Sequence, residues 1–292
     1  MARFIAGIDG GGTSCRARVL DKDGTIIGEG KSGSANIMLG AEVALTSIIE
    51  AISIALTQGG LDNSYFNQVD VGLALAGAEH KASYLALLSA PHPFASITLN
   101  TDGYGACLGA HEGKDGAIMI AGTGSVGLFI SGTTQHVVGG REFPISDQGG
   151  GAIMGLRLIQ DVLLIQDGIL DSSPLADIVM THFNNDIDNI VEWSKTALPR
   201  DYGQFSPQIF EYAYLNDPLA KKLLMQTASD IEMFLTALHQ RGAENICLMG
   251  SIAERIFDWL SPAAQRWIVS PKGDAMDGAL MMAGQPSHNL YD

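Results

Sequence analysis

Apolar residues in this chain alternate between short compact runs and longer stretches at helical spacing. Residues 4–8 (FIAGI) form an apolar run stopped by Asp9 and three glycines, the pattern of a buried strand. Residues 15–20 read as a second strand, Asp23-Gly24 as a hairpin turn and 25–28 as a third strand. Residues 41–58 set Val43, Ile48, Ile52 and Leu56 at helical spacing and stop at Gly59-Gly60. A buried strand is predicted over 69–76, a helix over about 79–89, a short strand over 96–99, and a further helix just after Asp102.

The opening pattern then recurs. From Gly116, the segment GAIMIAGTGSVGLFISGTTQHVVGG repeats the order strand, Gly/Thr/Ser turn, strand, turn, strand, and Gly122-Thr123 matches Gly12-Thr13. Repetition of a whole supersecondary unit predicts a duplicated domain, although glycine-rich hairpins also look alike without common origin. The remainder is mostly helical. Helices are predicted over 152–166, over 172–215 with breaks at Pro199 and Pro207, and over 217–241 with Leu219, Leu223, Ile231, Leu235 and Leu238 on one face. A strand at 245–249, a turn at Gly250-Ser251, a helix at 252–260 and a last helix at 273–284 follow. Strands alternating with helices predict an α/β fold with two related sheets. No low-complexity linker separates the halves, so two closely packed domains with a cleft are expected rather than a flexible tether.

Charge narrows the partners. With 17 Lys and Arg against 32 Asp and Glu, the formal net charge is −15, which removes nucleic acid and anionic lipid from the expected partners. A nucleotide site must then draw its positive potential locally, from backbone N–H groups, helix N-termini or a metal ion. Cys15, Cys107 and Cys247 are far apart and form no CxxC, which indicates neither a zinc nor an iron–sulfur site and fits the cytoplasm. The seven histidines show no metal-ligand spacing, and Trp193, Trp259 and Trp267 are expected in the core. No apolar run reaches about 18 residues, so no membrane span is expected. The short run before Asp9 does not read as a signal peptide.

Two nucleotide patterns are decoys. Gly30-Lys31-Ser32 resembles the end of a P-loop, but Thr25 stands where its first glycine belongs and no helix follows. Gly122 to Gly127 satisfies G-x-G-x-x-G, but Leu128-Phe129-Ile130 continues as strand, so the dinucleotide fingerprint fails. Glycine-rich hairpin turns can hold phosphate differently, by converging successive N–H groups on an anion. Thr13, Ser14, Thr123 and Ser125 add hydroxyls, and two such turns can share one triphosphate; each is also explicable as an ordinary tight turn. Asp9 heads the first turn, and a carboxylate beside phosphates implies Mg2+. Asp102, at a strand end and helix start, suits either a general base or a helix N-cap. Residues 139–151 concentrate charge, amide and glycine, and Asp147 or Glu142 can pair with a ligand ammonium; a solvated surface loop explains them equally well.

In this order the motifs resemble the actin-like ATPase and sugar-kinase superfamily. The branch is that of N-acetylglucosamine kinase, bacterial glucosamine kinase and the BadF/BadG/BcrA/BcrD ATPases. The resemblance covers essentially the whole chain. Asp9 to Thr13 looks like the first phosphate motif, and Gly122-Thr123-Gly124-Ser125 like the second. Asn100-Thr101-Asp102-Gly103 resembles the segment carrying the catalytic aspartate, and Ser34-Ala35-Asn36 the sugar-binding Asn segment. Gly140 to Gly151 resembles the sugar-binding glycine loop with Asp147 as its aspartate; Leu248 to Ser251 resembles the adenosine turn. Arg141 and Gln148 depart from the family's Trp and Glu, and Gly103 replaces its Ala. Residues 141–148 look more like bacterial glucosamine kinases than animal N-acetylglucosamine kinases.

The resemblance implies two ribonuclease-H-like domains: residues 1–106, joined by a C-terminal helix at about 280–292, and residues 107–279. It implies transfer of the γ-phosphoryl of Mg-ATP to the 6-hydroxyl of an amino sugar. Asp102 is then the catalytic base and Asp9 organises Mg2+. Gly11, Gly12, Thr13, Ser14 and Gly122 to Ser125 hold phosphates, and Gly250 and Ser251 the adenosine. Asn36, Asp102, Gly140, Arg141 and Asp147 hold the sugar. A homodimer is common among such proteins. Two other readings stand beside the kinase: an ATPase driving a protein partner, and a non-catalytic sugar sensor.

Overall fold

The computed structural model of the protein describes residues 3–285. The part of the expected C-terminal helix beyond residue 285 lies outside the described residues. The chain divides into two units, residues 1–115 with 270–292, and residues 116–269. The division read from sequence at residue 106 falls inside a helix that the first unit keeps whole.

The first unit runs β1 (Phe4–Gly10), β2 (Cys15–Asp21), β3 (Ile26–Ser32), α1 (Ala41–Gln58), β4 (Val69–Leu75), α2 (Lys81–Ser89), β5 (Ser96–Thr101) and α3 (Asp102–Ala110). Its sheet has the order β3-β2-β1-β4-β5. β1, β2 and β3 pair antiparallel, while β1, β4 and β5 run parallel. The antiparallel part is a hairpin ribbon because two short turns suffice; the parallel part needs helical crossovers. α1 covers the ribbon through Ala44, Ile48, Ala51, Ile52 and Ala55, all fully buried. Val43 was expected on that face but is 49% exposed, since the buried stripe runs one residue later, through Ala44. By length and composition α1 alone among the described helices is apolar enough to cross a membrane, but its apolar stripe is already used against the sheet.

The second unit repeats the plan. It runs β6 (Gly116–Ala121), β7 (Ser125–Ser131), β8 (Thr134–Gly139), α4 (Gly151–Gln166), α5 (Pro174–His182), α6 (Ile187–Ser194), α7 (Pro199–Gly203), α8 (Ser206–Tyr214) and α9 (Pro218–Gln240). It ends with β9 (Ile246–Met249), α10 (Ala253–Ile256), α11 (Pro262–Gln265) and β10 (Ile268–Val269). Its sheet has the order β10-β9-β6-β7-β8, which read from the other end is the first sheet's order with the same parallel and antiparallel pairs. Shared topology at every position is what duplication leaves. Pro199 and Pro207 open helices rather than merely breaking one, because the first helical turn does not use their missing N–H. The helix expected over 252–260 divides into α10 and a 3-10 turn, and α11 and β10 were not foreseen because each is four residues or fewer. Leu219, Leu223, Ile231, Leu235 and Leu238 on α9 are all buried.

The last helix, α12 (Ala275–Met282), belongs to the first unit and packs on α3, β1 and β4. The helices touch backbone to backbone: a Cβ on Gly278 would lie 1.8 Å from the Gly105 carbonyl oxygen. Arg18 on β2 ties the start of α12 down, bonding Asp274 at 3.2 Å and also Asp277. Glu29 takes its Nε at 2.6 Å.

Candidate active site

The parallel strands of the first unit end in register. Gly10 pairs with Leu75, and Leu75 with Thr101, so the turns after β1, β4 and β5 leave the sheet side by side. Open α/β sheets bind ligands at this carboxyl edge. The Gly11 to Ser14 turn closes with a Gly11 N–H to Ser14 carbonyl bond of 2.9 Å, while Gly12 and Thr13 are exposed. Ser34 and Ala35 both bond the Gly11 carbonyl oxygen, at 3.0 and 3.2 Å, and this anchors the Asn36 segment beside the turn. Asn36 Oδ1 accepts the Met38 N–H at 2.9 Å and caps a single 3-10 turn. Gly10, Gly11, Asn36 and Asp102 therefore share one edge of this sheet.

Asp102 is not the cap of α3. Thr101 supplies the capping oxygen, and Asp102 is the first helical residue, with Oδ1 accepting the Gly103 N–H at 2.8 Å. Although the residue has an open face, its carboxyl is crowded enough that desolvation raises its pKa, and Glu79 and Asp9 add like-charge repulsion. The Gly103 bond opposes both without cancelling them. A carboxylate held above its ordinary range is better matched to taking up a proton. Glu79, two residues ahead of α2, gave no signal in the sequence.

Asp9 faces its partner across the hairpin. Arg16, opposite in the β1–β2 register, reaches Asp9 Oδ2 with Nη2 at 2.5 Å and Nε at 3.1 Å. Arg16 was not foreseen. Its period-2 position opposite Asp9 was the available signal. Among the described residues no three His, Cys, Asp or Glu side chains converge as a metal cluster. That does not disqualify Mg2+, which takes one or two carboxylates together with substrate phosphates and waters. Asp9 is the one such carboxylate at this turn, and Arg16 now occupies it.

In the second unit, β6 and β9 run parallel and end together, so the Gly122 and Gly250 turns adjoin. Gly250 has φ 100°, and a Cβ there would lie 2.5 Å from the Ala121 carbonyl oxygen; no other residue fits. Ser251 is exposed. The Gly122–Ser125 turn is fastened to the next helix: Gly151 and Ala152 N–H groups donate to the Gly122 and Thr123 carbonyls at 2.7 and 2.9 Å. The turn also closes on itself, the Gly122 N–H donating to the Gly124 carbonyl at 3.0 Å. Ser125 is buried and gives its hydroxyl to the Gln148 carbonyl at 2.6 Å, so it ties the loop in place.

The loop from Gly139 to Gly151 folds back over this turn. Asp147 sits at φ 68° and accepts backbone N–H bonds from Ser125 and Phe143. Desolvation nevertheless raises its pKa, and Glu142 pushes the same way. Its carboxylate lies where a Cβ on Gly124 would meet Oδ2 at 2.7 Å, so the glycine admits it. A cavity of about 310 Å3 is lined by Gly122 to Ser125, Gly140, Glu142 and Asp147. Arg141 is exposed and does not line it. A second cavity, about 140 Å3, is lined by Gly122, Thr123 and Ser251.

Two sheets of one topology, each ending in a glycine turn, define a duplicated α/β protein of the actin-like ATPase and sugar-kinase type. A ROK family glucokinase from Streptomyces griseus, solved with glucose and AMPPNP, shares the fold at a TM-score of 0.54 and 17% identity, over 97% of this chain and all of that one. The chain belongs to the BadF/BadG/BcrA/BcrD ATPase family, which it matches over residues 6–283. It is 69% identical to the glucosamine kinase GspK of Vibrio cholerae, over 99% of this chain and 98% of that protein. An N-acetyl-D-glucosamine kinase of Dictyostelium discoideum is 24% identical over 77% of this chain and 76% of its own. A Chromobacterium violaceum structure described as a candidate N-acetylglucosamine kinase superposes at a TM-score of 0.86 with 30% identity, covering 96% and 99%.

Proposed function

We propose that this protein transfers the γ-phosphoryl group of ATP to the 6-hydroxyl of an amino sugar, glucosamine in the first place. The carrying observation is that one glycine turn, Gly122 to Ser125, lines two cavities, one with Asp147 and Glu142 and the other with Ser251. Phosphoryl transfer asks chiefly for positioning of donor and acceptor about the moving phosphate, and such a turn supplies both sides. The likeness to GspK along nearly its whole length supports the amino sugar.

Asp102 is the proposed base: it takes the 6-hydroxyl proton as O6 bonds to the γ-phosphorus and the bond to the β-phosphate oxygen breaks, releasing ADP. Asn36, Asp102, Gly140 and Asp147 hold the sugar, with Arg141 at the rim. A protonated amine at carbon 2 suits the acidic pair Asp147 and Glu142. Gly11 to Ser14 and Gly122 to Ser125 hold phosphates, Ser125 by anchoring the turn; Gly250 and Ser251 hold the adenosine. Mg2+, held through Asp9, would neutralise phosphate charge when bound.

ADP release measured with glucosamine, N-acetylglucosamine, N-acetylmannosamine and glucose, with and without Mg2+, tests this. The expected result is Mg2+-dependent release with the highest kcat/KM for glucosamine. ADP release indifferent to any sugar would instead mark an ATPase that drives a partner, and sugar binding without ADP release a sensor.

A further inference from the structure

The smaller cavity of the second unit contains polar groups to which nothing above gives a task. Besides Gly122, Thr123 and Ser251 it is lined by Ser206 and Arg255. Ser206 opens the nine-residue helix α8 and is only 7% exposed, yet its Oγ has no hydrogen-bond partner among the described residues. It faces the start of α4, since a Cβ on Gly151 would meet this Oγ at 2.7 Å. Buried hydroxyls are rarely left unpaired, and this one borders a cavity whose other polar side chains are Thr123, Ser251 and Arg255.

Arg255 supports the same conclusion from the other wall. Its guanidinium lies over the Phe210 ring, 4.3 Å from the centroid, and it makes no ion pair among the described residues. In a chain of net charge −15, a guanidinium left without a carboxylate beside a glycine turn is a ready anion partner. The start of α8 adds the positive end of its helix dipole. The start of α4 does not, because its first N–H groups are used by the Gly122 and Thr123 carbonyls.

We infer that Ser206 and Arg255 bind the α-phosphate of the adenine nucleotide, which then bridges the Gly122–Thr123 turn and the adenosine turn at Gly250-Ser251. This inference rests on the kinase reading above. Neither residue belongs to a motif legible in the sequence: Ser206 comes from the helical insertion and Arg255 from a four-residue helix.

The test is calorimetric titration of wild type, Ser206→Ala, Arg255→Met and Arg255→Lys with adenosine, AMP and ADP, without sugar, alongside steady-state kinetics. Arg255→Met is expected to weaken AMP and ADP about tenfold or more, and Ser206→Ala about fivefold, from the usual strengths of charged and neutral hydrogen bonds. Adenosine affinity and the KM for the amino sugar should hold, and Arg255→Lys should recover part of the loss. Arg255 is exposed, so its variants remain informative even if Ser206→Ala folds poorly. Unchanged AMP and ADP affinity in the variants, or an equal loss for adenosine, overturns the assignment while sugar-dependent ADP release leaves the kinase reading standing. A wild-type protein that binds no adenine nucleotide overturns both.

Discussion

Thr101 caps α3 by accepting the Tyr104 N–H at 3.1 Å, and the neighbouring Asp102 carboxyl is thereby left outside the capping geometry. The two side chains have separable jobs, so their removal should have separable effects. Asp102→Asn should lower kcat by about 10²- to 10⁴-fold, the usual worth of a positioned base, with ATP and sugar affinity kept. Because desolvation and like charges disfavour the ionised carboxyl, the same change should raise the melting temperature slightly, on the order of 1 °C. Thr101→Ala should do the reverse: it loses a cap worth about 1 kcal/mol, melts a few degrees earlier and retains most of its turnover. Steady-state kinetics beside thermal unfolding of both variants checks the division. An Asp102→Asn enzyme at near wild-type rate removes Asp102 as base.

The raised pKa of Asp102 also fixes a pH dependence. The base must be ionised to accept a proton, so activity is present above its folded pKa and is lost as pH falls through it. Since that pKa lies above the ordinary aspartate value of 3.8, the acid limb of kcat/KM should also lie above 3.8. Stability runs the opposite way: a raised carboxylate pKa favours the folded state most at low pH, and that contribution fades as pH rises through the folded value. A pH–rate profile of wild type against Glu79→Gln is the measurement. Removing the Glu79 charge should move the acid limb downward, and an unmoved limb would mean that Glu79 does not act on the base.

Asp147 offers a contrast because its backbone is left-handed, at φ 68°. Asn tolerates that region and keeps one acceptor for the Ser125 and Phe143 N–H groups, so Asp147→Asn should fold. It removes the charge proposed to meet the sugar ammonium. The KM for glucosamine should rise about tenfold or more, with a smaller change for N-acetylglucosamine, which carries no cation, and little change for ATP. Equal losses for both sugars would assign Asp147 to a hydroxyl instead.

Strand and helix order were legible because period-2 and period-3.6 patterns are strong in this chain, and the glycine turns mark where the sheets end. α1 was read to the residue at both ends, from Ala41 to the Gly59 stop. Local patterns cannot show which groups are brought together by register. Arg16 reaches Asp9 only once β1 and β2 pair, and Glu79 acts on Asp102 only because β4 and β5 end level. Ser206 sits in an insertion with no repeat to compare it with, and Val43 misled because a helix's buried stripe is set by its partner, here the β-ribbon. The Ser125 hydroxyl looked like a phosphate donor. The Gln148 carbonyl, 23 positions along, takes it instead.

The crossing of α3 and α12 ties these local features to stability. Gly278 would place a Cβ 1.8 Å from the Gly105 carbonyl oxygen, and Gly109 one 1.8 Å from the Asp274 carbonyl oxygen. These clashes are with backbone, which cannot rotate away, so the helices must separate to admit even one methyl group. Elsewhere in a helix Gly→Ala stabilises by about 1 kcal/mol through propensity. Here overpacking, costing about 1–3 kcal/mol or more, should win. Gly278→Ala is therefore expected to lower the melting temperature by several degrees. Because α3 begins with Asp102, the displaced helix should also lower kcat, while ADP affinity at the second unit's turns is kept. Thermal unfolding, turnover and ADP titration on one preparation decide it. A Gly278→Ala protein that melts higher than wild type would show that the crossing has slack, and that α3 is positioned by β5 alone.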